Sequence, residues 1–435
     1  MSGAARVRGA ALLAVAAVVL AGCGNDAEPA GDGGGGGPAP ELTGRGPIKF
    51  ATGKDTSGNM QVLVDEWNAA HPKETVEIVE LPETADEQRK QMVQNAEAKS
   101  DEFTILNLDV VWTAEFAANK WVVELPKDEL GLDAFLEPAV ATAEYFDRLY
   151  AMPVYSDGGL LFYRKDLLDA AGVEVPKTWD DMWAVCEKVK ALPQGANVNC
   201  YAGQFEKYEG LTVNFSEAIQ SAGGSVLDKD GKPTVDTKEA KDGLNFLVSG
   251  VKDKQIPQAA ITYKEEEGRR AFQEGQLLFH RNWPYVYAKA TATDGSSQVA
   301  GKFDVAPLPG KDGPGVSTLG GHNLAISSFA PNKGTALDFI KFFTSEKAER
   351  SNLLATSQAP TRTALYDDAE MVGKFPYLTT LKESILNAVP RPQAVQYGDV
   401  TAAMQEAAYG AMTGEVSTDQ ALKDLQGKLE ELTAK

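Results

Sequence analysis

The sequence predicts an α/β protein, and three observations carry that prediction. Apolar residues change their period along the chain. Ile48 and Phe50 alternate as in a strand, whereas Met60, Leu63, Val64 and Trp67 fall on one helical face. Phe103 to Val110 is a nearly continuous apolar run, as a strand buried on both faces should be. Strand, helix, strand, helix, strand then follow one another with no internal repeat, which is the doubly wound pattern.

In chain order, the first feature is a basic start with Arg6 and Arg8, followed by the apolar run Ala10 to Leu20. That is the layout of a secretory signal, and the run is too short to span a membrane comfortably. It closes on Leu20-Ala21-Gly22-Cys23, which resembles the lipobox of bacterial lipoproteins. The resemblance implies cleavage after residue 22 and a lipid on the Cys23 thiol; the alternative is an ordinary signal peptide with an incidental cysteine. Residues 23–46 read as a flexible tether, with Gly33 to Gly37 between Pro29, Pro38 and Pro40 and little apolar content to bury. A phosphate-loop reading of the glycines fails, because no strand precedes them and no Gly-Lys-Ser/Thr closes them.

Pro47 to Thr52 reads as a strand, Gly53 to Gly58 as a loop, and the helix carrying Trp67 follows. Val76 to Leu81 is the second strand, Ala85 to Ala98 a polar helix, and Phe103 to Val110 the third strand. Further strands are expected at Gly159 to Tyr163, Gln276 to His280 and Asn323 to Ser327. Helices are expected at Trp179 to Ala191, Lys238 to Val251 and Thr335 to Phe343, with several more at the C-terminus.

Without its first 22 residues the 435-residue chain keeps 413, enough for two lobes of ordinary size. Losing Arg6 and Arg8 moves the formal charge from −20 to −22, which disfavours nucleic acid and anionic bilayers as partners. After Cys23 only Cys186 and Cys200 remain, flanking a loop with Pro193, Gly195 and Asn197. An even pair in an oxidising compartment predicts a disulfide worth about 2–3 kcal/mol, against the alternative of two free thiols.

Ligands of open α/β sheets sit outside the carboxyl ends of strands. Four such places stand out. They are Leu106 to Trp112 with Asp109, Tyr150 to Gly159 with Asp157, Phe279 to Tyr285 with Trp283, and Ser317 to Leu324 with Gly320 and Gly321. In this order, behind a lipobox, they resemble the maltose/trehalose-type sugar-binding lipoproteins of bacterial ABC importers, within family 1 of the extracellular solute-binding proteins. The resemblance runs over Pro47 to Lys435. It implies a two-lobed fold like that of periplasmic binding proteins, with a sugar cleft between lobes joined by hinge crossings. The implied lobes are 47–155 plus 322–360 and 156–321 plus 361–435.

By matching position, Asp109 and Asp157 correspond to sugar-hydroxyl acceptors on the two sides of the cleft. Trp283 and Tyr285 correspond to a stacking platform, and Gly320 and Gly321 to a close-approach turn. Arg391, in Pro390-Arg391-Pro392, corresponds to an arginine that reaches the ligand; Arg89 matches a further arginine and Asp55 lies in the first polar loop. Tyr208-Glu209 lies in a loop that often faces the cleft in such proteins. His322 is a departure, since relatives often carry an aromatic there, and its role stays open between ligand contact and structural hydrogen bond. The set suits sugars: carboxylates and guanidinium groups bond hydroxyls, and aromatic rings cover the apolar C–H faces.

Each residue also has a plainer reading. Asp109 can cap a helix over Thr113 to Asn119, Asp157 can shape a turn, Trp283 can be core packing, and Arg391 can be a surface charge on a rigid segment. Asp228 to Gly231 superficially suggests a calcium loop but lacks the later ligands, and a turn fits better. Three histidines and the lack of Gly-x-Ser-x-Gly or His-Glu-x-x-His leave no catalytic or metal site, and no cofactor is expected. The expectation is therefore not an enzyme but a monomeric, extracytoplasmic, lipid-anchored sugar binder serving ABC permease subunits. The rivals are a glycoside-acting enzyme with two cleft carboxylates and a binder of a non-sugar solute such as a peptide.

Overall fold

A computed structural model describes residues 42–55 and 57–433. The signal segment, Cys23 and the tether as far as residue 41 lie outside the described residues. The tether prediction is too long at its end. Arg45 pairs with Glu74 and Asp338, and Gly334 donates its amide to Thr43 at 3.0 Å, so residues 42–46 are docked rather than free.

The first lobe opens with β1 (Ile48–Thr52), α1 (Asn59–Ala70), β2 (Val76–Glu80), α2 (Ala85–Glu97), β3 (Ile105–Asp109) and α3 (Thr113–Ala118). The predicted apolar face of α1 is the buried one, with Leu63, Val64 and Trp67 inward. The chain then runs through β4 (Ala151–Gly158) into β5 (Leu160–Tyr163) of the second lobe. There follow α4 (Trp179–Lys190), β6 (Asn199–Ala202), α5 (Glu209–Ser221), α6 (Lys238–Lys252), α7 (Glu265–Gln273), β7 (Leu277–Asn282) and β8 (Asp304–Ala306). Strand β9 (Leu319–Ile326) returns to the first lobe, where α8 (Lys333–Phe343) and α9 (Glu346–Thr356) follow. The chain ends with α10 (Tyr397–Thr413) and α11 (Thr418–Thr433).

The first sheet has the order β2-β1-β3-β9-β4. Strands β2, β1 and β3 are parallel, as the doubly wound reading requires, but β9 is antiparallel to both β3 and β4. The second sheet runs β8-β5-β7-β6 and is mixed as well. Two hydrophobic cores result. One gathers Phe50, Trp67, Leu106, Phe116 and Phe339. The other gathers Phe162, Phe215, Phe272, Phe279 and Val400. Strands β4 and β9 pass between them as a hydrogen-bonded pair, so two crossings share one ribbon.

The sequence reading expects a strand only from Gly159, yet Ala151–Gly158 before it already forms β4. Its Pro153 cannot donate to a ladder, but β4 is an edge strand, and its register against β9 shifts beside Pro153, between His322 and Asn323. Asp157 is therefore inside a strand rather than shaping a turn. Strand β9 also starts four residues before the predicted one, because Gly320 and Gly321 pair with Asp157 and Ser156. A disulfide joins Cys186 on α4 to Cys200 on β6, with Cα atoms 5.7 Å apart. Asp228 accepts the amides of Asp230 and Lys232 at 2.9 Å each, a turn and not an ion site.

Candidate functional site

The carboxyl end of β3 delivers Asp109 to the junction of the lobes. In register beside it stand His322 on β9 and then Tyr155 on β4, a row across three strands. The next rungs pair Gly321 with Ser156 and Gly320 with Asp157. Gly321 has φ +115°, and a Cβ there would lie 2.3 Å from the Tyr155 carbonyl oxygen. Only glycine fits that rung.

Asp109 does not cap α3, which begins after Trp112. Its two oxygens accept from Arg391, at 2.5 and 3.2 Å, and Oδ1 also accepts the Val111 amide. Arg391 is no surface charge: it is 2 % exposed. Its segment is tied to the second lobe by Val389, which exchanges backbone hydrogen bonds with Ser317 and Leu319. A second carboxylate, Glu209 at the head of α5, takes the same guanidinium at 2.5 Å. Thr401 Oγ1 donates to Glu209 at 2.7 Å, and the Tyr397 hydroxyl donates to it as well. Burial alone would lower the Arg391 pKa, but the Asp109 charge, then Tyr397 and Glu209, raise it and hold the group cationic. Burial pushes Glu209 up, and Arg391 pulls it back.

The opposite corner is built around Trp283. The Arg281 guanidinium covers one face of its ring at 3.9 Å, and a Cβ on Gly320 would come within 2.8 Å of the ring. Arg281 is itself buried and fixed by Glu217, at 2.5 and 2.7 Å, and by Gln204 at 3.0 Å. Half-buried Trp283 thus has a set orientation with part of its surface open. Beside it Asp157 receives no side-chain hydrogen bond from any described residue. Burial pushes its carboxyl up to about 7, with Arg281 opposing and Asp109 reinforcing. His322 is tilted against Tyr155 at 4.8 Å between ring centroids, and its Nδ1 has no partner among the described residues. Burial lowers its pKa to about 4, so it is neutral at pH 7.

The structure brings together Asp109, Asp157, Trp283, Gly320, Gly321, His322 and Arg391. Three predicted residues are engaged elsewhere. The Tyr285 hydroxyl donates to Glu266 at 2.8 Å. Arg89 pairs with Glu115, its Nε at 2.8 Å. Asp55 accepts the amides of Ser57 and Met60, both at 2.8 Å. A cavity of about 370 Å³ opens beside the Arg391 knot, lined by Asp86, Arg89, Trp112, Glu209, Tyr397 and Thr401. Sequence reasoning passed over Tyr155, Arg281 and Asp86. It noted Glu209 only through its loop; for Arg281 the available signal was an arginine near the end of an apolar strand, two residues before Trp283.

The family model of bacterial extracellular solute-binding proteins matches residues 52–350 of this chain. This chain belongs to that family. A probable ABC transporter-binding protein of Deinococcus radiodurans is 33% identical over 373 residues, covering 84% of this chain and 88% of the relative. A mannitol-binding protein of Pseudomonas aeruginosa is 26% identical over 406 residues, with the same two coverages. Among solved structures, maltose-bound MalE3 of T. maritima aligns with a TM-score of 0.84 at 32% identity, covering 89% of this chain and 99% of that one. The family is extracellular and binds solutes. Among the described residues no helix is long and apolar enough to cross a membrane.

Proposed function

We propose that this chain captures a sugar or polyol between its lobes and delivers it to the permease subunits of an ABC importer. The observation that carries the reading is the Asp157–Trp283 corner, a carboxyl with no side-chain hydrogen bond from the described residues beside an oriented indole, with Asp109 and its Arg391 partner two strands away in the same sheet. Hydroxyl pairs and an apolar sugar face suit that set, and nothing in it is arranged for the charged termini of a peptide. An α-glucoside such as maltose or trehalose is the first candidate, supported by the 32% identity to a maltose-bound relative; a polyol is the second, supported by the mannitol-binding relative. The lobes are taken as 47–155 plus 322–360 and 156–321 plus 361–435, closing about the β4–β9 ribbon. The protein acts as a monomer held to the outer face of the membrane by lipid on Cys23.

Calorimetry against maltose, trehalose, malto-oligosaccharides and mannitol, with product analysis of each mixture, tests the reading. Saturable binding without turnover is expected; turnover would make it a glycosidase, and binding only to peptides would remove the sugar reading. Membrane fractionation tests the anchor, with Cys23→Ser expected to release the protein. A wild type found wholly soluble would refute lipidation.

A further inference from the structure

At one corner, side chains of the two lobes bond directly across the cleft. Asp86 stands in the first turn of α2, in the first lobe. Its Oδ2 accepts the Glu209 amide at 2.8 Å, and its Oδ1 accepts Gln405 Nε2 at 3.2 Å. Glu209 opens α5 and Gln405 lies on α10, both packed on the second core. Tyr208, which precedes α5, gives its helix no side-chain cap. An amide at the head of a second-lobe helix is therefore satisfied by a carboxylate of the first lobe. The network closes on itself: Gln405 also donates to Thr401 Oγ1 at 3.0 Å, Thr401 donates to Glu209, and Glu209 holds Arg391 against Asp109.

We propose that Asp86 and Glu209 form a cross-cleft latch that sets how tightly every ligand is held by favouring closure of the lobes. The proposal rests on the reading that the solute is captured by closure. These bonds form only when the lobes approach, so they favour the closed arrangement whatever the cleft contains. A ligand's apparent affinity is its intrinsic affinity scaled by the population of the competent state. Weakening the latch therefore scales all affinities by one factor, whereas loss of a ligand contact discriminates among ligands. Asp86 and Glu209 act as positioning residues, through the lobes and through Arg391.

The test uses the chain without its signal segment and two variants, Asp86→Ala and Gln405→Ala, the second removing only one bond to Asp86. Small-angle scattering without sugar should show Asp86→Ala expanded relative to wild type. Calorimetry should show the Kd of each bound sugar raised by the same factor, roughly 5- to 30-fold for Asp86→Ala and about 2- to 5-fold for Gln405→Ala. Unchanged radius together with unchanged affinities would overturn the latch. Losses that differ widely between maltose and mannitol would overturn it too, by placing Asp86 against the ligand. Should Asp86→Ala fail to fold, Asp86→Asn and Gln405→Ala carry both measurements. A wild type that binds no sugar sinks the functional reading alone, since the scattering arm needs no ligand.

Discussion

At the Asp109 corner of the cleft one guanidinium serves two carboxylates and hydroxyls complete Glu209, while Arg391 Nε and the neighbouring His322 Nδ1 find no partner among the described residues. At the Asp157 corner the carboxyl receives no side-chain hydrogen bond from the described residues, and the nearby arginine is spent on Glu217 and on the Trp283 ring. The contrast separates two tasks that one line of site residues would merge. A corner of paired buried charges ties the lobes together, and its groups are costly to disturb. An open corner keeps bonding capacity for something else, and its groups are cheap to change but informative about binding.

The largest expected effect follows from disturbing the charge-paired corner. Arg391→Leu leaves Asp109 and Glu209 buried without their cation, and breaking a buried pair from one side costs about 3–5 kcal/mol. Thermal melts at pH 7 should fall accordingly, whereas Asp157→Asn should melt at or above wild type. Equal melting of Arg391→Leu and wild type would erase the distinction between the corners.

Trp283→Ala reverses the pattern. It should leave the melting temperature close to wild type yet weaken the best sugar by about 1.5–4 kcal/mol, some ten-fold to several hundred-fold in Kd. Loss of stability in step with affinity would mean that Trp283 belongs to the Arg281–Glu217 packing and reads no ligand.

Much of this was legible in the sequence, for identifiable reasons. Strong period and long apolar runs marked β1, α1 and β3 to within a few residues, because one face or both are buried along their whole length. Strands β4 and β9 were not legible in full. Their pairing depends on partners more than 150 residues apart, and Pro153, Gly320 and Gly321 carry low strand propensity. The same limit applies to the site. Strand-end position pointed to Asp109 and Asp157, but whether an acid meets a buried arginine or open space is a long-range fact. Arg391 lies 282 residues from Asp109 in the chain and Glu209 lies 182 from Arg391.

The open corner should also be visible in the pH dependence of stability. Burial raises the Asp157 carboxyl from 3.8 to about 7 in the folded protein. Between those values the folded state binds more protons than the unfolded chain, so this group makes stability fall as pH rises, by at most about 1.4 kcal/mol per pH unit. Glu349, raised to about 7 by burial, has the same sign; His322, lowered to about 4, has the opposite sign between about 4 and 6.5. The difference between Asp157→Asn and wild type isolates the one group. The variant's advantage should be greatest above pH 7 and vanish towards pH 4. A constant difference across that range would mean the carboxyl titrates normally.

The smallest effect concerns Asp55, which the family resemblance places near the ligand and the structure places on the amides of Ser57 and Met60. A carboxylate on amides at the start of a helix is a cap, and its loss typically costs about 0.5–2 kcal/mol. Asp55→Ala should therefore lower the melting temperature slightly and leave the ranking of sugars intact. Asp55→Asn and Asp55→Ser, which keep an acceptor, should restore most of that stability. If instead Asp55→Ala folds with full stability and loses one sugar selectively, its carboxylate belongs to the open corner. The boundary between orienting and reading groups would then run through the first loop rather than along β3.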